Sequence, residues 1–472
     1  MLEKLRLYFL RTFLIFLLSS FSLASIAQDN SPYSRYGLGD MANQSNITSR
    51  GMGGISAGYA DILSINFNNP ASYSQFQTFL EQRSKNVSMG RVILDVGLDF
   101  SNRTLITPGT TSRYTSSDAY FSYLQVGLPI RKNWGLSFGI RPFSRIDYKI
   151  NRSELLKDPV TGGPIENTVT LFRGSGGSYL PTIGTGFGFE LGSKETPSSK
   201  TTNTISLGVN GGYLFGNREN TTLRNFANDT VLYYASDFST STSWGDLYFN
   251  SGLQYQIEKY NKLKKQTTLF RFGLSGNWQQ KTKASQDVLR QTFSLGTAGE
   301  ELRIDSVYHQ SGIKGNIILP ASYKAGFVLQ HTKTDNSGWL LGIDYSESKW
   351  SQYQFFGQRD SVEDSWQVSV GAQFFPKIKQ GFFNRITYRA GFFTGQDYLK
   401  IQNKMPVFGA SFGMGIPVAN YNRLSPNQYT LLNLGFEFIK RGNNDNLLKE
   451  NLFRVSVGFN FSDLWFGKKK YE

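Results

Sequence analysis

The sequence predicts an all-β fold: a transmembrane antiparallel β-barrel of about fourteen strands with an N-terminal Gly-rich hatch or plug inside the lumen. Three observations predict it. Apolar and polar residues alternate through segment after segment beyond residue 87, the period of a strand with one greasy and one wet face. No apolar run past the N-terminal leader approaches the roughly 18 residues that a membrane-crossing helix needs. Short connections interleave with long ones, as periplasmic turns and external loops do in such barrels. Composition agrees: 48 glycines, 15% aromatic residues and a mean hydropathy of −0.34 suit a barrel whose inner face is polar.

The chain opens with a secretory signal, residues 1–27. Lys4, Arg6 and Arg11 form its positive region, Thr12 to Leu23 its apolar stretch and Ser25-Ile26-Ala27 its small-x-small cleavage site. Its removal takes away three basic residues and Glu3, so a formal charge of +15 becomes +13. Export argues against a nucleic-acid partner for that charge and toward outer-membrane lipids and lipopolysaccharide. There is no cysteine, which excludes disulfides, thiolate metal sites, a thiol nucleophile and a lipid-anchored N-terminal Cys.

Residues 28–87 form the next unit, an N-terminal periplasmic extension followed by the hatch. Within it, Arg50 to Ser72 is rich in glycine and almost uncharged. Gly51, Gly53, Gly54 and Gly58 allow close backbone approach, but Met52, Ile55, Ile62, Leu63, Ile65 and Phe67 have no place in a flexible tether and need burial. Asn69-Pro70-Ala71 reads as a helix start, Asn as N-cap and Pro at the first helical position, for a short helix through Phe76. Such a helix either plugs a lumen or shapes the turn into the first strand.

The barrel occupies residues 88–462. Phe453, Val455, Val457, Phe459 and Phe461 alternate with Arg454, Ser456, Gly458, Asn460 and Ser462, and the phasing recurs around Leu432–Phe438, Phe270–Trp278 and Val92–Phe100. Strands fall near 88–103, 118–130, 134–151, 179–193, 203–216, 243–258, 267–281, 318–332, 338–353, 364–377, 382–396, 405–417, 427–440 and 450–462. The long segments Thr104 to Ser117, Arg152 to Ser178, Asn217 to Thr242 and Lys281 to Asn316 then become external loops. Trp134, Trp244, Trp278, Trp339, Trp350 and Trp366 fall near strand ends, as an interfacial aromatic girdle requires. A β-sandwich would leave the outer apolar stripe without cover. Asp95, Asp99, Arg271, Asp344, Glu437 and Arg454 face the lumen, where they pair with one another or the hatch, or meet a substrate carboxylate.

Pro142-Phe143 interrupts the third strand. Proline cannot donate to a ladder, so the pairing breaks there, either as a bulge near the rim or as an opening in the wall. Enzyme chemistry is not indicated. His309 and His331 are the only histidines and belong to no metal or triad motif; His309 near Ser311 is the one pair weighed for a hydrolase. Residues 463–472, with Lys468, Lys469 and Lys470, form a basic periplasmic tail that docks a partner or folds on the rim.

Arg50-Gly51-Met52-Gly53-Gly54, Ala57, Ala60-Asp61, Asn66 and Asn69-Pro70-Ala71 resemble the hatch of the FadL-type outer-membrane transporters of long-chain fatty acids and other hydrophobic compounds. Pro142-Phe143, Leu319-Pro320 and Trp350-Ser351 are similar to elements of that family, and Ser31 to Tyr36 with the basic end resembles its Bacteroidetes branch; Ser144 departs from the usual Gly. The resemblance implies passive, cofactor-free transport in the outer membrane: capture of a hydrophobic small molecule by the loops, gating by Arg50, Gly51, Gly53, Gly54, Asp61, Asn69, Pro70 and Ala71, and lateral release at Pro142 and Phe143. Behind that leading expectation stands an alternative, because related barrels serve without transport as partners or shuttle subunits of outer-membrane protein secretion or assembly complexes, with other outer-membrane or periplasmic proteins as partners. An open aqueous porin fits less well, since an apolar plug would obstruct it.

Overall fold

The computed structural model describes residues 31–80, 87–226, 234–295, 301–379, 381–418 and 428–465. The expected signal peptide and residues 466–472 of the expected tail lie outside them. Fourteen antiparallel strands close into a barrel. In chain order they are β1 (Val87–Ile106), β2 (Arg113–Arg131), β3 (Trp134–Lys157), β4 (Pro164–Glu195), β5 (Ser199–Phe226), β6 (Ala235–Asn261) and β7 (Gln266–Asn277). They continue as β8 (Ser322–Lys333), β9 (Gly338–Ser348), β10 (Ser365–Phe375), β11 (Thr387–Ile401), β12 (Asn403–Val418), β13 (Tyr429–Arg441) and β14 (Lys449–Trp465). Each pairs with the next, and β14 returns to β1 through Gly458 opposite Gly97. The alternation behaves as its period requires: on β13, Asn433, Gly435, Glu437 and Arg441 are buried inside while Phe438 stands 46% exposed outside.

The largest departure from the sequence reading concerns the external segments. β4 is 32 residues long, although about 9–11 residues suffice to cross a membrane. Among the described residues, most of Arg152 to Ser178, Asn217 to Thr242 and Lys281 to Asn316 is strand, not loop. The first two are the continuations of β3 to β6, which stay paired up to Lys157 opposite Pro164, Thr168 opposite Phe226 and Arg224 opposite Ser236. The third is a hairpin, Gln280–Leu295 and Glu301–Leu319, whose first strand joins the upper edge of β6 as far as Phe293 opposite Ala235. Together they form a sheet projecting from one side of the barrel. The physical reason for the misreading is that strands beyond the lipid need no apolar outer face. Arg173, Ser175, Asn217 and Glu219 point outward there and are exposed.

Two tryptophans leave the expected girdle. Trp244 and Trp350 are buried, 6% and 5% exposed, in a cluster inside the barrel with Tyr33, Leu38, Tyr353 and Tyr398. Trp278, Trp339 and Trp366 do stand exposed. The strand expected over 338–353 stops at Ser348, and Trp350–Gln352 is a 3-10 turn. At the C-terminus Asp463, Leu464 and Trp465 belong to β14, opposite Val92, Arg91 and Gly90, so the strand outlasts the expected boundary at 462.

Candidate functional site: the occupied lumen and the seam beside it

Residues 31–76 run through the barrel interior before β1 begins. The local rules that shape them are visible in the caps. Asn46 accepts a bond from Ser49 N–H at the start of the helix Ile47–Arg50. Asn69 accepts one from Ala71 N–H, 3.1 Å away, at the start of the turn Pro70–Gln75, with Pro70 where its missing N–H costs nothing. The element is 3-10 instead of α. The Asn69 amide does more than cap, donating to Ala57 O at 2.7 Å and to Leu253 O and Leu274 O of the wall.

The wall meets this segment through glycine. A Cβ built on Gly135, Gly186, Gly208, Gly252, Gly371 or Gly391 would fall within 2.5 Å of the backbone or side chain of Tyr73, Pro70, Asn69, Met52 or Gly53. Every wall strand except β8 carries a glycine within 4 Å of residues 47–76 in this sense, and neighbouring ones stand in register, such as Gly371 opposite Gly391. At Gly135, Gly186, Gly208, Gly273, Gly371 and Gly391 backbone lies on backbone, and at Gly97, Gly127, Gly342 and Gly458 a side chain of the segment rests on the glycine, approaches that glycine permits. This belt is a feature the sequence carried openly, and strand-by-strand reading missed it.

Every lumen charge expected from alternation is inside. Arg50 and Asp99 form an ion pair at 2.7 Å with side chains 0% and 1% exposed, and Arg50 also donates to Ser45 O and Ser122 Oγ. Asp344 accepts the Ser56 and Ala57 N–H groups at 2.6 and 2.9 Å, and Asp95 accepts Ile65 N–H at 3.1 Å. Arg271 binds Gln256 and reaches Gly58 O; Arg454 pairs with Glu437 at 3.2 Å. Asp61 accepts the Tyr59 hydroxyl and Leu63 N–H, a bond within the segment itself. Gly51 lies 3.0 Å, by its built Cβ, from Gly413, whereas Gly54, at φ +84°, faces open space. A second network was not foreseen: Asp40 of the segment bonds Arg103 at 2.7 Å and Arg441 at 3.1 Å, and Arg441 also meets Asp397 and Glu450. Its members sit far apart in sequence, and only closure of the barrel brings them together.

Pro142 and Phe143 lie at a break, but the break is wider than a bulge. β3 pairs with β4 across a register shift between Pro142 and Ser144. On its other side its pairing with β2 stops at Leu124 opposite Ile140. Above that point β2 stays paired only with β1, across its own irregularity between Tyr123 and Phe121. Two bulges thus flank an unzipped seam, with Ser122 and Tyr123 both turned inward and buried. The freed edge of β3 is covered by the chain's own segment. Asp40–Met41 pairs antiparallel with Arg145 and Ser144, Ala42 N–H donates to Phe143 O, and Ser31 N–H donates to Asp147 O. Gly39, at φ +98°, makes this possible, because a Cβ there would fall 2.4 Å from Arg145 O. Across the seam Arg145 forms an ion pair with Asp118 and lies over the Tyr120 ring.

A cavity of about 480 Å³ opens above the segment. Its lining mixes charged side chains, Asp40, Arg103, Arg141, Lys324, Asp397, Glu437, Arg441 and Arg454, with apolar and aromatic ones, among them Phe143, Tyr248, Trp350, Phe393, Tyr398, Ile439 and Leu452. Beside it the loop after β9 is held by Asp364, which accepts Ser351 N–H at 3.0 Å and lies 3.4 Å from Lys349. Partial burial would raise this carboxyl, but the Ser351 bonds and Lys349 outweigh it and hold the group below the usual carboxylate range. His309 and Ser311 are 3.2 Å apart on the exposed hairpin. Among the described residues no cluster of three or more metal-binding side chains occurs.

The fold defines an outer-membrane-type β-barrel, with residues 31–76 packed against the inward-facing residues of its strands. The chain belongs to the BamG family, whose model matches residues 9–472. No curated protein matches it. Among solved structures it is similar to a Pseudomonas aeruginosa FadL homologue, at 13% identity over 92% of this chain and 100% of that one, with a TM-score of 0.43. It is also similar to the CymD monoaromatic hydrocarbon channel, at 13% identity over 90% and 98% with a TM-score of 0.41. The Pseudomonas putida toluene transporter TodX is a third, at 14% identity over 90% and 99% with a TM-score of 0.40.

Proposed function

We propose that this protein is a non-transporting barrel of the outer membrane, exported by its N-terminal signal, that acts as a partner subunit in an outer-membrane protein secretion or assembly complex. The lumen, filled by residues 31–76 and bonded to them through buried charges, carries this reading. Residues 31–76 are tied to the wall by buried ion pairs and by glycine-mediated backbone contact, and the space left over is lined by Arg103, Arg141, Arg441 and Arg454. An apolar solute passing residues 31–76 would have to part buried ion pairs, which is costly. The projecting sheet of β3 to β6 and its added hairpin offers surface beyond what a channel requires. Membership of the BamG family is compatible with this role.

A second reading keeps a specific observation on its side. The seam above Leu124 and Ile140, with Pro142 and Phe143 at its margin, supports lateral release of a hydrophobic, fatty-acid-like compound past residues 50–71 acting as a hatch. One experiment separates the two. Native purification from membranes, followed by mass spectrometry of polypeptides and lipids together, gives stoichiometric outer-membrane proteins and no enriched apolar solute on the first reading. A solute enriched in the barrel, uptake lost on deletion and no protein partner would overturn it.

A further inference from the structure

The positive charge of the chain is gathered at one end of the barrel. The short turns at the end where β1 begins, 130–133, 194–200, 259–265, 333–337 and 377–385, carry twelve Lys or Arg against only Glu195 and Asp335. The segments at the opposite end, 152–178, 217–242 and 280–319, carry ten basic and ten acidic residues. Short turns mark the periplasmic end of such barrels, so the excess faces the periplasm. Both acids are already engaged there, Glu195 with Lys262 at 2.6 Å and Asp335 with Lys377 at 3.5 Å. The rim therefore calls for an anion from outside the chain. Lipopolysaccharide, confined to the outer leaflet, would meet the balanced end instead.

Three neighbouring turns build one platform on this rim. The Thr334 hydroxyl donates to Lys265 O at 2.6 Å, and the Lys377–Asp335 pair ties 333–337 to 377–385. Four large apolar side chains stand open on two of these turns: Leu263, Ile378, Phe382 and Phe383, 80%, 64%, 60% and 73% exposed. The turn before β11 folds back along the outside of the wall. Arg389 is buried inward, so Tyr388 faces outward, in a row with the exposed Phe374 and Trp339. The Tyr388 hydroxyl donates to Phe383 O at 3.1 Å. Phe382 and Phe383 are thus held beside an outer aromatic row, the level at which hydrocarbon gives way to headgroups. Aromatic rings at that depth, with Lys379 and Arg385 in the same turn, suit a surface of acyl chains below and phosphates above.

We propose that the platform of turns 259–265, 333–337 and 377–385 is a binding site for anionic phospholipid of the periplasmic leaflet. Phe382 and Phe383 enter the acyl boundary, and Lys264, Lys379 and Arg385 meet phosphate. The site seats the β6 to β11 side of the wall at one depth in the bilayer, whatever polypeptide the barrel assembles with.

The test uses the full chain in nanodiscs of phosphatidylethanolamine and phosphatidylglycerol. The chain has no cysteine, so Phe383→Cys can carry a single nitroxide, with Val160→Cys, 90% exposed in the turn between β3 and β4, as the water reference. Oxygen should relax the label at 383 at least threefold more than the label at 160, and a water-soluble nickel chelate at least threefold less. Native mass spectrometry should find phosphatidylglycerol retained at least fivefold over phosphatidylethanolamine. Lys264→Gln with Lys379→Gln and Arg385→Gln should abolish that preference in a barrel that still migrates as the folded band. Should this variant not fold, wild-type protein in about 0.5 M salt should show the same loss by screening. A label at 383 as open to nickel as the one at 160 overturns the proposal. So does equal retention of the two lipids, or a preference that survives both the substitutions and salt. If the substitutions instead release an acidic polypeptide from the native complex and leave lipid retention unchanged, the platform belongs to a protein and the proposal falls.

Discussion

Arg50 of the N-terminal segment and Asp99 of β1 meet at 2.7 Å with neither side chain open to solvent. Removing one partner leaves a buried charge without compensation, which typically costs about 3–5 kcal/mol. Arg50→Ala should therefore lower the urea midpoint of the folded, heat-modifiable band on a gel, and Asp99→Asn should do the same. The double variant should lose less than the sum of the two; strict additivity would show that the pair does not couple segment to wall.

Gly391 places its missing Cβ 2.0 Å from Gly53 N, whereas Gly192 has open space around it. Gly391→Val should destabilise the protein by about 1–3 kcal/mol through overpacking, and should expose residues 47–60 to protease while the barrel stays closed. Gly192→Val should do neither. Equal melting temperatures for the two variants would remove the glycine belt as an explanation of how the segment is held.

Gly39 combines a positive φ with a close approach to Arg145 O, and a β-branched residue is strained in that region. Gly39→Val should free the strand Asp40–Met41 from β3 while leaving the helix Ile47–Arg50 in place. Trypsin should then cut at Arg35 at least tenfold faster than in the wild type, with Arg50 still protected, as mass spectrometry of the fragments would read.

Asp364 has a carboxyl held below its ordinary value by Ser351 and Lys349. The stabilisation it gives the loop after β9 is thus complete above the ordinary carboxylate value of about 3.9 and fades as the pH falls through its native value. Hydrogen exchange over 349–364 should be flat from pH 7 to 5, once corrected for intrinsic rates, and rise below about pH 4. Asp364→Asn should abolish that rise.

Strand identity was legible because lipid imposes a stripe. Leu434, Phe438 and Phe459 had to face outward, and the count of strands and their pairing order followed. Where lipid ends the rule ends, which is why the upper halves of β4 and β5, with Arg173 and Glu219 outward, passed for loops. Asn69 and Pro70 announced their turn locally, and it formed. Pro142 signalled a broken ladder, but the extent of the seam depends on the bulge at Ser122 in the neighbouring strand, where no residue type marks it. Trp244 and Trp350 were placed at an interface by position alone, whereas Trp244 is buried on β6 with Tyr248 and Asn250 and Trp350, in the loop after β9, stacks on Tyr398. Asp40 and Arg441 are 401 positions apart, and nothing short of the closed barrel relates them.

The glycine belt also fixes an order of events. Around residues 47–76 it leaves no more than contact distance, to backbone at Gly208 and Gly391 and to side chains at Gly127 and Gly342, so a finished barrel has no bore through which this stretch, with Tyr59, Phe67 and Tyr73 attached, could later be threaded. Residues 31–76 precede every wall strand in the chain. The wall must therefore be wound around a stretch that is already waiting, and β14 meeting β1 at Gly458 and Gly97 is the step that locks it in.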